Sequence, residues 1–155
     1  MVVQRDDLLV LGVDWHVHYD HSAGEIVSAF LKGLGNGVIQ GRHCPLCGAV
    51  WLPPRAYCER CFVATDQWVS VGPGGVLEAF TIVGQKFDNL PEPPYVIAFA
   101  RLDGSDSSLA NFLTMTLGSV EEMAERLAVG QRIRAEFKPE SQRQLRITDF
   151  HYVLA

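Results

Sequence analysis

The chain has 155 residues, 48% of them apolar and 20% charged, with a formal net charge of -5. That length holds one domain of ordinary size, or a small module attached to one, and excludes two full-sized domains. The balance is that of a soluble globular protein and excludes disordered and fibrous classes.

Residues 1–22 show no clear period and read as an irregular N-terminal arm carrying His and Asp. Its apolar run, Leu8 to Val13, stops at Asp14, far short of the roughly 20 residues that span a bilayer. No export signal or anchor is legible, so the expected location is the cytoplasm, where thiols stay free or bind metal. The His16-Val17-His18 pair is of a kind that binds a cation in some metal hydrolases. Further ligands are scarce, since the other histidines are His21, His43 and His151, so the expectation is a solvated or interface segment.

Residues 23–37 are expected to be a helix. Ser22 with Glu25 three residues on has the form of a capping box, Ile26, Val27, Phe30, Leu31 and Leu34 follow at helical spacing, and Gly33, Gly35 and Gly37 end it. In residues 38–68, Val38 to His43 and Val50 to Leu52 read as short strands flanking Cys44-Pro45-Leu46-Cys47, and Pro53 and Pro54 turn the chain toward Cys58-Glu59-Arg60-Cys61.

Two Cys-x-x-Cys turns ten residues apart suit one tetrahedral metal, because each turn aims two sulfurs inward. Cys44, Cys47, Cys58 and Cys61 are therefore the expected ligands of a zinc ion, with Gly48 suited to the left-handed position that such a knuckle needs. Four thiolates leave no open coordination position, so the metal is expected to be structural, contributing on the order of 10 kcal/mol to folding the ribbon. A rubredoxin-type iron site uses the same ligands; two disulfides or one redox pair are the remaining readings. His43 is expected either to hydrogen-bond a sulfur or to lie exposed. Trp51, Pro53, Pro54, Tyr57, Phe62 and Trp68 are divided between a small core over the ribbon and a surface for a partner.

Residues 69–155 have the texture of strands separated by turns. Gly72 to Gly75 is a turn; Val76–Val83, Tyr95–Leu102 and Leu109–Leu117 are strands, with Asp103-Gly104-Ser105 turning the chain before the third. Ser119 and Glu122 cap a short helix with an apolar face of Val120, Met123, Ala124 and Leu127, closed by Gly130. Ile133, Ala135 and Phe137 alternate in a fourth strand and Leu145 to Val153 supplies a fifth. Five strands with a helix between the third and fourth is the order of an OB-fold barrel. The expected fold class is thus mainly β with a little α: an N-terminal helix, a rubredoxin-like zinc ribbon and a five-stranded OB barrel.

No nucleophile with a base and an orienting acid can be assembled. Ser105, Ser107 and Ser108 lie in an acidic turn, no nucleophile elbow or phosphate loop is present, and the cysteines are assigned to metal. Nucleic-acid binding is the alternative reading of a ribbon joined to an OB barrel. It needs several cations in one groove, whereas Asp103, Asp106, Glu121, Glu122 and Glu125 gather in the middle of an acidic chain.

The sequence resembles the zinc-ribbon/OB-fold family called domain of unknown function 35. The resemblance rests on Phe30-Leu31-Lys32-Gly33-Leu34, Cys44-Pro45-Leu46-Cys47-Gly48, Leu52-Pro53-Pro54-Arg55 and Tyr57-Cys58-Glu59-Arg60-Cys61. It continues through Gly75-Val76-Leu77 with Phe80-Thr81, Pro94-Tyr95-Val96-Ile97-Ala98 and Gly130-Gln131-Arg132-Ile133, about residues 25 to 152 in all. It implies a non-catalytic subunit that docks on a thiolase-like enzyme, in a heterotetramer or larger assembly, and helps bind an acyl-CoA whose carbon-carbon bond the partner makes or breaks. Aromatic or steroid acyl-CoA breakdown is among the roles it implies, with no nucleic-acid or membrane partner.

CoA phosphates favour Arg and Lys. Arg132, Arg134 and Lys138 are the expected CoA contacts, in a stretch that also holds Arg143 and Arg146; Arg55 and Arg60 lie on the ribbon.

Overall fold

A computed structural model describes residues 2–5, 8–11, 17–115 and 118–155. Part of the N-terminal arm is regular where none was expected. Strand β1 (Val2–Arg5) pairs antiparallel with β2 (Leu8–Leu11), Val2 opposite Leu11. His16 lies outside the described residues, and His18 and His21 are exposed.

Helix α1 (Gly24–Gly35) buries Phe30 and Leu34. The expected Ser22 cap does not form: the N-cap is Ala23, with no side-chain hydrogen bond. Gly24, the first residue of the helix, takes a left-handed φ of +68°, so the chain does not enter the helix along the path that a Ser22 cap needs. The other end follows expectation. Gly37 takes a φ of +76°, its amide bonds to Leu34 O and that of Val38 to Gly33 O, the paired bonds of a Schellman stop.

The ribbon sheet has the order β4 (Val50–Trp51), β3 (Gln40–His43), β5 (Trp68–Ser70). Strand β5 was not legible, because three residues are too few to show a period. A Cβ on Gly41 would lie 2.9 Å from Trp51 O, so this close crossing of strands needs glycine.

The barrel comprises β6 (Gly74–Val83), β7 (Tyr95–Leu102), β8 (Leu109–Leu113), helix α2 (Val120–Arg126), β9 (Arg132–Phe137) and β10 (Phe150–Leu154). Its strands close in the ring order β6-β7-β8-β10-β9. Only the β8–β10 contact is parallel, Tyr152 opposite Leu113, which gives the OB arrangement. The period-two pattern is plain in β7, where Val96, Ala98, Ala100 and Leu102 face inward. A bulge between Leu77 and Ala79 lets the long first strand coil around the barrel. Ser119 and Glu122 form the expected capping box, and Met123 and Leu127 are buried beside the barrel. Tyr152 donates to Leu109 O at 3.0 Å, and burial pushes its phenol up.

One apolar core runs through all three parts: Phe30 and Leu34 of the helix and Ile39, Val50 and Leu52 of the ribbon pack with Leu77, Leu102 and Ile133 of the barrel. The last strand is shorter than the expected Leu145–Val153. Residues 138–149 instead form a loop with 3-10 turns at Glu140–Gln142 and Ile147–Asp149. Asp149, 1% exposed, is the reason: its carboxylate accepts from Gln144 N at 2.9 Å and Arg146 N at 3.0 Å, with Leu145 between them held at a φ of +57°.

Burial works against the Asp149 charge, but the Gln144, Arg146 and Leu145 amides and the Lys138 charge outweigh it and hold the carboxyl below the usual range. A folded-state pKa below the unfolded one means that the unfolded chain takes up the proton first as pH falls. The contribution is therefore complete above the unfolded value of roughly 3.9 and is lost as pH drops through the lower folded value. Asp149→Asn should cost about 2 kcal/mol at neutral pH through a lost charged hydrogen bond. Urea midpoints of the two proteins should converge on acidification below that range; a constant gap would assign the loss to packing.

Candidate functional site

The two Cys-x-x-Cys turns are built alike. Cys44 N bonds to Ala49 O at 2.8 Å and Gly48 N to Cys44 O at 2.9 Å; Cys58 N bonds to Val63 O and Phe62 N to Cys58 O, both at 2.9 Å. All four sulfurs lie within 4.8 Å of one another, and Cys47 Sγ is 3.8 Å from Cys58 Sγ. A disulfide needs about 2.05 Å. Sulfurs placed about 2.3 Å from a tetrahedral zinc stand about 3.8 Å apart. The cluster thus fits one metal ion, and the four cysteines are free thiols.

Burial raises the Cys58 thiol, but the Arg60 and Cys61 amides and the Trp51 side chain more than offset it, bringing it down to about 6. The Cys61 thiol is pushed up to about 12, first by its hydrogen bond with Cys47 and then by burial. One thiolate forms readily and the next resists, as expected where several negative charges share a small volume without a cation. Trp51 is 2% exposed, and its Nε1–H is buried without an acceptor at hydrogen-bond geometry, although the side chain favours the Cys58 thiolate. The Arg55 and Arg60 guanidinium carbons lie 5.7 and 5.2 Å from its ring centre. Four thiolates around a divalent ion total -2; Arg55 is paired with Glu59, which leaves Arg60 as the cation over the Trp51 ring without a carboxylate among the described residues.

His43 does not reach a sulfur; its Nδ1 meets Asp66 Oδ1 at 2.9 Å. Among the ribbon apolar residues, Trp51 and Pro54 are buried, whereas Leu46, Tyr57 and Phe62 are 69%, 66% and 84% exposed. Phe62 occupies the place in its knuckle that Gly48 holds in the other. It takes a φ of +57° where Gly48 takes +75°, a conformation that costs a side-chain-bearing residue roughly 1–2 kcal/mol.

The expected CoA contacts do not come together. Arg132 holds Asp103 in a two-point ion pair at 3.0 and 2.6 Å, and Arg134 pairs with Glu136, both on the outside of β9. Lys138 lies six residues beyond Arg132, about 20 Å along an extended chain. It lines a groove of about 530 Å³ with Arg146, Phe112, Thr148 and His151, beneath the loop that joins β6 and β7. Among the described residues neither Lys138 nor Arg146 makes an ion pair. Phe112 escaped the sequence reading because an outward aromatic in a strand looks like any half-buried strand residue. The buried polar Asn111 amid apolar neighbours was the available signal for the loop that it ties down.

The purified chain is expected to carry about one metal ion, and Cys58→Ala or Cys44→Ala to lose it with partial unfolding of the ribbon. Elemental analysis with far-ultraviolet dichroism measures both. Full metal retention in either variant would break the four-ligand assignment.

Residues 68–138 match the family model described as the C-terminal OB-fold domain of ChsH2. A DUF35-family protein of unknown function from Sulfolobus solfataricus has a similar structure, with a TM-score of 0.63 at 21% identity, covering 85% of this chain and 87% of that one. The Ltp2-ChsH2(DUF35) aldolase is similar with a TM-score of 0.60 at 15% identity, covering 81% of this chain and 90% of that one. No curated protein matches the sequence significantly. The resemblance read from the sequence therefore stands, by sequence over the barrel segment and by fold over most of the chain: a four-cysteine cluster followed by an OB barrel.

Proposed function

We propose that this chain is a non-catalytic subunit of a thiolase-type complex that makes or cleaves a carbon-carbon bond in an acyl-CoA. The observation that carries the reading is the shared architecture of ribbon and barrel with the DUF35 chain named together with Ltp2 in an aldolase. Cys44, Cys47, Cys58 and Cys61 hold a structural zinc, and the complex, a cytoplasmic heterotetramer or larger, takes an aromatic or steroid acyl-CoA. The partner supplies the reacting groups. In support, this chain's hydroxyls in the acidic turn are engaged in structure: Ser105 Oγ donates to Leu102 O at 2.8 Å, Ser107 Oγ to Leu52 O at 2.8 Å and Ser108 Oγ to Glu78.

The partner docks on the ribbon tip. Leu46, Tyr57 and Phe62 each adjoin a cysteine of the cluster, so they ring one centre held rigid by the metal. Exposed aromatics around a rigid point are the usual anchors of protein interfaces, and the strained backbone of Phe62 is the kind that persists at functional positions.

Affinity purification of the tagged chain from its own organism should recover a thiolase-like protein in stoichiometric amount with about one zinc per chain; recovery of the chain alone would sink the reading. Phe62→Gly relieves the left-handed strain, so the isolated variant should be as stable as the parent or more stable by about 0.5 kcal/mol. It should bind the partner at least roughly tenfold more weakly, the loss of one anchor. Unchanged partner affinity would remove Phe62 from the interface.

A further inference from the structure

Side chains around β4 alternate between two environments. Val50 and Leu52 pack into the core shared with the barrel, whereas Trp51 between them packs with Cys44 and Cys58 in the metal cluster. The backbone here has little freedom: Asp106 accepts from Val50 N, Ser107 accepts from Leu52 N, and Gly41 lets β3 cross close to Trp51 O. The indole is therefore placed against the sulfurs from both sides of its own strand.

Its N–H is an exception among the buried polar groups. Thr65, Ser105, Asn111 and Asp149 are buried, and each has a hydrogen-bond partner. Among the described residues, Trp51 Nε1 is the buried side-chain nitrogen or oxygen without one. A buried donor left unmet costs roughly 1–3 kcal/mol, and buried indole N–H groups ordinarily find an acceptor. The side chains packed with Trp51 are Ala49, Val63 and the cysteines, so the side-chain acceptors on offer are sulfurs.

A neutral thiol is a weak acceptor. A thiolate held by a metal keeps its lone pairs and excess charge, and a hydrogen bond to it is charge-assisted. Cys44 and Cys58 are both fully buried, so no solvent competes for the indole at either sulfur. The Arg60 guanidinium carbon lies 5.2 Å from the Trp51 ring centre. A cation over the ring draws electron density from it and makes the N–H a stronger donor.

We propose that Trp51 is a positioning residue of the metal centre, its indole N–H donating to the Cys58 sulfur of the metal-bound cluster and strengthening the hold on the ion. The indole favours the thiolate form of Cys58, which singles out that sulfur of the two buried ones. Partners of this kind, one step out from the ligands, are worth about ten- to a hundredfold in metal affinity. The inference rests on the metal reading of the four cysteines and is independent of the docking partner.

The test uses the full chain loaded in turn with cadmium-113, cobalt(II) and zinc. The Trp51 indole proton, assigned as the signal lost in Trp51→Phe, should show scalar coupling to the cadmium nucleus through the N–H···S bond. In the cobalt form, Trp51→Phe should move the sulfur-to-metal charge-transfer bands to longer wavelength, because a thiolate freed of its donor gives up electrons more readily. Competition with a chromophoric chelator should show zinc held roughly ten- to a hundredfold more weakly. Trp51→Phe also removes ring volume, so a second variant carries 3-benzothienylalanine in place of Trp51, keeping the bicyclic shape and replacing the N–H with sulfur. It should reproduce both the band shift and the weaker zinc binding. Parent-like bands and zinc affinity in that variant, with no cadmium coupling in the parent, would reduce Trp51 to packing and overturn the proposal while leaving the four-ligand site intact. A parent chain that takes up no metal would overturn the site and the proposal together.

Discussion

The ribbon is a sheet of three short strands with an exposed edge at β4, and the molecule is organised by how that edge is satisfied. The turn that follows β7 supplies the partners. Asp106 accepts from Val50 N and donates its own amide to Val50 O, both at 2.8 Å; Ser107 Oγ accepts from Leu52 N at 2.8 Å and donates back to Leu52 O. Edge strands left open invite pairing with other chains, and buried amides without partners cost roughly 1–3 kcal/mol each. Because the partners come from the barrel, one set of bonds both closes the edge and fixes the metal knuckles relative to the OB face. The shared core on the other side of β4 completes the clamp.

What was legible in the sequence was local. The Cys-x-x-Cys turns, the Ser119 capping box, the glycine stop at Gly37 and the alternation of β7 each express themselves within six to eight residues, and each appears as read. What was not legible depends on distant partners. Strand β5 exists because β3 offers a second edge, with Gln40 opposite Ser70. The 138–149 loop displaces the start of the expected last strand because one buried carboxylate captures two amides. Arg132 and Arg134 looked like a cationic stripe because sequence shows charge without showing Asp103 and Glu136 across from it. Ser22 has the right spacing for a cap but the wrong path, since Gly24, the first residue of the helix, takes a left-handed φ and the N-cap falls on Ala23.

The two knuckles make a controlled comparison within one molecule. They share a hydrogen-bond pattern and a metal, and they differ in the residue at the left-handed position. Gly48 meets the backbone requirement without cost, whereas Phe62 meets it under strain while leaving its ring in solvent. Neither stability nor core packing favours that choice. A sequence that obeys its local rules elsewhere and breaks one at an exposed aromatic is most simply explained by a use for the aromatic.

Charge separates the two readings of the barrel in the same way. An acidic chain repels an extended polyanion at long range, yet a small anion meets only the field inside the groove. Three barrel arginines are held by carboxylates, which cancels their reach, while Lys138 and Arg146 remain open at the end of a loop braced by Asn111, Arg143 and Asp149. Among the described residues Arg126 and Arg143 also have no carboxylate partner, so the free positive charge is scattered and not gathered into the track that an extended polyanion needs.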